Sequence, residues 1–176
     1  MLAQGGADPG VQQKLAPLLA RRGQGEAALA AFHAAADGHL AAGFVDRAVA
    51  VYAQATHWFP TTYGLWERIA ELHLSVGRKA DAVRAFLDAR GRLRGAAQRP
   101  QAILCLSRAL EIEPGQPDAM LDLARLCAKD GQPERADELL DELAAKGSPA
   151  LRRRIAWVRF RLAPSPATLW RWLFPA

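Results

Sequence analysis

Long apolar runs are missing from this chain. No stretch reaches the roughly 18 apolar residues that a membrane-crossing helix needs, so none is expected. Aromatic residues make up only 7% and runs of Val, Ile or Thr are few, whereas 37 of the 176 residues are alanine. That balance favours helix and leaves little material for a sheet. Two cysteines, Cys105 and Cys127, are too few for a disulfide framework; they read as small core hydrophobes in a reducing compartment, and a cytoplasmic location is expected. The opening MLAQGGADPG has no basic stretch followed by an apolar run, so no signal peptide is expected.

Motifs of catalysis are missing as well. There is no GxxxxGK[ST] phosphate loop and no GxGxxG after a strand. The four histidines, His33, His39, His57 and His73, do not pair at i, i+4 with a third ligand, so neither a metal nor a cofactor is expected. Carboxylates at i, i+4, Glu67/Glu71 and Glu138/Glu142, share helix faces as an acid and base would. On alanine-rich surface helices such pairs are solvated charges, and the chain is not expected to be an enzyme.

Charge is unevenly spread. The net charge is +5, yet residues 143–176 hold seven bases and no acid, while residues 111–142 hold ten acids and three bases. A basic C-terminal segment on an otherwise slightly acidic chain is not a broad nucleic-acid footprint, and no nucleic-acid partner is expected. Gly91 and Gly95 among Arg90, Arg92, Arg94 and Arg99 read as a loosened helix end, or as a contact for an anion or acidic partner.

The chain repeats itself. Ile69, Ala70, Gly77, Ala82 and Phe86 are matched 54 positions later by Leu123, Ala124, Gly131, Ala136 and Leu140, and 54 earlier by Leu15, Ala16, Gly23, Ala28 and Phe32. A second series, Gly43, Ala48, Tyr52, Ala55 and Pro60, returns as Ala97, Ala102, Leu106, Ala109 and Pro114. Small residues such as Ala70, Ala82 and Ala89 let antiparallel helices approach, and Trp66, Phe86 and Tyr52 fill the holes beside them. Gly23, Gly43, Gly77 and Gly131 stand where a helix must stop, and Pro60 and Pro114 where the next unit begins.

Segment 63–96, through Trp66, Ile69, Ala70, Gly77, Ala82, Phe86 and Ala89, resembles a tetratricopeptide repeat. Segment 29–62 resembles it through Phe32, Ala35, Ala36, Gly43, Ala48, Tyr52, Ala55 and Pro60, and segment 117–150 through Leu123, Ala124, Gly131, Ala136, Leu140 and Leu143. Weaker registers start at Pro9 and Val83, so successive registers alternate 20 and 34 residues apart and some helices serve two pairs. The resemblance covers roughly residues 9–150. It implies an all-α, right-handed superhelix of antiparallel helix pairs, a tetratricopeptide-like α-solenoid, here with a 54-residue three-helix super-repeat. Helices are expected at 11–21, 26–42, 46–58, 64–76, 79–95, 99–112, 117–130, 133–146, 149–162 and 166–174, the first interrupted by Pro17. Residues 1–163 are read as the repeat domain and 164–176 as a Trp-rich capping or docking helix.

Members of the family mostly bind peptides or helices in a groove lined by first helices. Mapped onto this chain, that implies His33, Asp37, Glu67, Glu71, Arg84, Arg94, Arg125 and Lys129 as partner-binding residues. His39, His73 and Cys127 take a repeat position where a ring packs at the core edge. The tail, with Leu169, Trp170, Arg171, Trp172, Leu173 and Phe174 in a row, admits three readings: a cap on the last repeat, a docking peptide, or a contact with an anionic membrane surface. The function implied is a non-catalytic adaptor or scaffold holding a partner protein in a bacterial assembly. Alternatives are a chaperone for a secreted substrate, although such chaperones are typically acidic and this chain has a pI near 9.8, and a peripheral membrane-associated assembly factor.

Overall fold

Proline opens five of the helices, where its missing N–H costs nothing and its fixed φ suits the first turn. The computed structural model describes residues 8–164 together with Thr168, Trp170 and Leu173. Among these residues there are nine α-helices and no strand: α1 (Pro9–Arg21), α2 (Gly25–Ala41), α3 (Val45–Trp58), α4 (Tyr63–Ser75), α5 (Lys79–Arg92), α6 (Arg99–Ile112), α7 (Pro117–Lys129), α8 (Pro133–Lys146) and α9 (Pro149–Leu162), with a single 3-10 turn at Ala96–Gln98. The Asp8 carboxylate accepts from Gly10 N at 2.9 Å and starts α1 two residues earlier than the periodicity suggests. Pro17 sits inside α1 without breaking it.

The same turn closes α1, α2, α4 and α7. Gly23, Gly43, Gly77 and Gly131 have φ between 75° and 80°, a region that costs other residues about 1–2 kcal/mol. The residue after each glycine donates back five positions: Gln24 N to Leu19 O, Phe44 N to His39 O, Arg78 N to His73 O and Gln132 N to Cys127 O, at 2.8–3.0 Å. These are Schellman closures, which satisfy the last carbonyls of the helix and reverse the chain in a few residues. Connections this short leave the following helix no choice but to run antiparallel.

The chain forms two compact units, residues 1–92 and 93–176. In the first, α1 packs on α2, α2 on α3, α3 on α4 and α4 on α5. Its core alternates small and large: Ala28, Ala35, Ala36, Ala48, Ala55, Ala70, Ala82 and Ala89 are buried beside Phe32, Tyr52, Trp66 and Phe86. Alanines bring the helix axes together and the rings fill what is left, each large side chain contributing about 1.5–3 kcal/mol by leaving water. The Trp66 indole donates to Pro60 O at 2.9 Å, tying α4 to the turn before it. Gly38 serves a close approach, since a Cβ there would lie 2.3 Å from Pro9 Cγ at the start of α1.

In the second unit α6 packs on α7, α7 on α8, and α9 against both α7 and α8. Ala102, Leu106, Ala109, Leu121, Ala124, Ala136, Leu140, Ile155 and Val158 are buried in it, together with both cysteines. Burial pushes the Cys127 thiol up from its ordinary pKa, as expected of a core hydrophobe. His39 and His73 are half-buried.

Two expectations change. The fifth helix, expected over 79–95, stops at Arg92. Gly91 weakens its last turn, and the Gln98 side chain turns back to accept from Gly95 N at 3.1 Å, starting the next helical segment instead. The tail helix expected over 166–174 lies outside the described residues except at Thr168, Trp170 and Leu173, which are helical.

Candidate functional site

In the first unit a polar ladder crosses three helices. Tyr52 on α3 is 1% exposed, so its ring is core, yet its hydroxyl lies 3.2 Å from His33 Nδ1 on α2. The two rings meet at right-leaning edges, centroids 5.5 Å apart and planes at 65°. On α4 the Arg68 guanidinium donates to Glu71 Oε2 at 2.8 Å; the Tyr52 hydroxyl, then Glu71, raise its pKa above the ordinary value. A buried phenol needs a partner for its hydroxyl, and His33 supplies it. One turn away on α4, Tyr63 donates to Glu67 Oε1 at 2.9 Å.

This geometry places the expected groove residues. His33, Asp37, Glu71 and Arg84 are exposed and Glu67 is half-buried. The structure joins His33 to Tyr52, Glu67 to Tyr63 and Glu71 to Arg68, and among the described residues of this unit no hydrogen bond or ion pair links any two of the five to one another. Glu67 and Glu71 therefore answer to different neighbours, which is the arrangement of oriented surface carboxylates. On the outer side of α1, Val11, Leu15 and Leu18 form an exposed apolar stripe.

In the second unit Arg94, Arg125 and Lys129 are exposed, the last two a turn apart on α7. The end of α7 carries a cap that sequence reasoning missed. Arg99 Nη1 donates to Lys129 O at 2.6 Å and stands 3.7 Å from the Asp130 carboxylate, supplying a cation where helix carbonyls are unpaired. Two open clefts flank α8. One of about 410 Å³ is lined by Asp137, Asp141, Arg159, Leu162 and Thr168 among others, and one of about 400 Å³ by Met120, Glu142, Leu143 and Leu151 among others.

The basic C-terminal segment has two sides. Arg154 pairs with Asp118 on α7 and Arg159 with Asp141 on α8, while Ile155 and Val158 are buried. Arg153, Trp157 and Arg161 are exposed at helical spacing, and Phe160 is half-buried. The Thr168 hydroxyl donates to Ala163 O at 2.9 Å. Trp170 and Leu173 are exposed, whereas Leu169, Arg171, Trp172 and Phe174 lie outside the described residues. Among the described residues no group of three His, Cys, Asp or Glu side chains is placed to hold a metal, and no helix is long and apolar enough to cross a membrane.

Residues 93–154 match the family model of the tetratricopeptide repeat. Among solved structures, the kinesin-light-chain-type TPR-like repeats of Podosopora anserina are 17% identical, cover 93% of this chain and 90% of their own, and give a TM-score of 0.48. MamA from Desulfovibrio magneticus RS-1 is 15% identical over 80% of this chain and 97% of its own, with a TM-score of 0.34. Pseudomonas aeruginosa pilF is 20% identical over 96% and 92%, with a TM-score of 0.31. No curated protein matches the chain.

Proposed function

For a chain that is tetratricopeptide repeat over residues 93–154, and an all-α stack of antiparallel pairs in each of its units, we propose the role of a non-catalytic adaptor that holds a partner protein on its repeat surface. Tetratricopeptide repeats are protein-interaction modules, and this chain is read as one working in a bacterial cytoplasmic assembly, with a peptide or helix as partner and no nucleic acid.

One observation carries the reading: Glu67 and Glu71 stand a turn apart on α4, and each is oriented by its own neighbour, Tyr63 or Arg68, instead of by the other. Oriented carboxylates of this kind offer a partner charge-assisted hydrogen bonds at little entropic cost. His33 and Asp37 on α2 extend the same polar set, Arg84 adds a cation on α5, and Arg94, Arg125 and Lys129 give the second unit a basic share. The helix starts at 9, 63 and 117, at 25, 79 and 133, and at 45 and 99 support the 54-residue, three-helix unit. Residues 1–163 are the repeat domain in this reading and 164–176 its cap or docking helix.

The test is capture from native lysate with quantitative mass spectrometry. Reversing both carboxylates, Glu67→Lys with Glu71→Lys, lowers recovery of the partner at least about tenfold, since opposing charges then meet like charges. Undiminished capture by a double variant that keeps its helical circular dichroism removes this face from the binding surface. A chain ended after Ala163 that keeps the partner assigns the tail to capping; one that loses it while staying helical and monodisperse assigns the tail to docking.

A further inference from the structure

We infer that the outer face of α9 is a docking surface for an anionic lipid bilayer, independent of the partner-binding face on α4. The helix divides its own charge. Arg154 and Arg159 are taken by Asp118 and Asp141, and Ile155 and Val158 are buried, so its inner side is complete within the unit. Its outer side carries Arg153, Trp157, Phe160 and Arg161, spaced i, i+4, i+7 and i+8 and so on one stripe. Among the described residues no ion pair holds Arg153 or Arg161. Two acids of residues 111–142, Asp118 and Asp141, hold the inner arginines instead, and residues 143–176 contain no acid at all.

The choice of a bilayer over an acidic protein rests on what stands between the arginines. The Trp157 and Phe160 rings lie against each other, centroids 5.7 Å apart and tilted by 33°, and 38% of Trp157 remains exposed. Beyond α9, Trp170 is 65% and Leu173 51% exposed. Arginines flanking exposed tryptophan match the two layers of a membrane interface, in which phosphates take the guanidinium groups and the headgroup boundary takes the indole. Charge draws the face to an anionic leaflet and the rings hold it there.

Co-sedimentation of the full chain with vesicles tests this. The protein sediments with phosphatidylglycerol–phosphatidylcholine vesicles at low salt, not with phosphatidylcholine alone, and is released as salt rises. Neutralising the outer pair, Arg153→Gln with Arg161→Gln, lowers partitioning about 30-fold, from about a fivefold loss per basic residue near the surface. Removing the same charge elsewhere, Arg22→Gln with Lys79→Gln, leaves partitioning unchanged. Both pairs are exposed, so circular dichroism matches wild type in each. Failure of the full chain to sediment with anionic vesicles overturns the proposal. So does an equal loss in the Arg22/Lys79 control, which reduces the effect to net charge, or saturable binding of a poly-glutamate peptide to this face with no lipid binding, which makes the partner an acidic protein.

Discussion

His33 on α2 and Tyr52 on α3 meet edge to face, Nδ1 3.2 Å from the phenol oxygen. One hydroxyl of a buried ring thus ties α3 to α2. Tyr52→Phe keeps the ring that fills the core and removes only that junction. His33 is exposed, so it is not left as a dry orphan, and the loss is expected at about 1 kcal/mol. Urea unfolding reads the stability, and the His33 ring resonances report the lost neighbour. An unchanged midpoint would show that the ladder is not a structural junction.

Gly38 and Pro9 are in competition for one space. Alanine at 38 gains about 0.8–1 kcal/mol of helix propensity inside α2, but its Cβ would stand 2.3 Å from Pro9 Cγ, and overpacking of that kind costs about 1–3 kcal/mol. Gly38→Ala is expected to lower stability on balance, and Pro9→Ala in the same chain to recover most of the loss. Thermal melts of the single and double variants decide it. A stabilised Gly38→Ala single variant would mean that the start of α1 does not press on α2.

Asp46 and Arg78 pair across the first unit, from the first turn of α3 to the residue that follows Gly77. The Arg78 hydrogen bond, then its charge, holds the Asp46 carboxyl below its ordinary value of 3.8, with His73 adding a smaller pull in the same sense. A carboxylate with a lowered folded-state pKa stabilises the fold above its unfolded value and loses that contribution as pH falls through the folded one. Asp46→Asn is therefore expected to be slightly less stable than wild type at neutral pH, the pair being exposed. The gap closes as pH drops below 3.8. Urea midpoints at pH 7 and in the acid range check both ends; a gap that persists in acid would place the effect elsewhere.

Local chemistry made most of the fold legible. The limits expected for α6, α8 and α9 are those observed, because proline at the start and a turn signal at the end bracket each of them. Gly23, Gly43, Gly77 and Gly131 were readable as stops because only glycine enters that turn without cost. What escaped depends on partners far apart in the chain. Arg99 caps α7 through Lys129, thirty positions on, and nothing near Arg99 announces it. Tyr52 was legible as a hole-filling ring but not as a junction, since its hydroxyl meets His33 on another helix. The two faces of α9 escaped for the same reason. Five arginines in a row of fourteen residues read as one basic patch until Asp118 and Asp141 claim two of them.

The closure shared by α1, α2, α4 and α7 is made from backbone groups of the helix's last turn and one glycine, and calls on no side chain of the helices it joins. Such a hinge is portable. A helix can be added, removed or exchanged at it without redesigning the corner, so the length of the stack is the inexpensive variable in this architecture. Individuality then resides in the few side chains that reach across, His33 to Tyr52 among them, which mark one position in an otherwise interchangeable series.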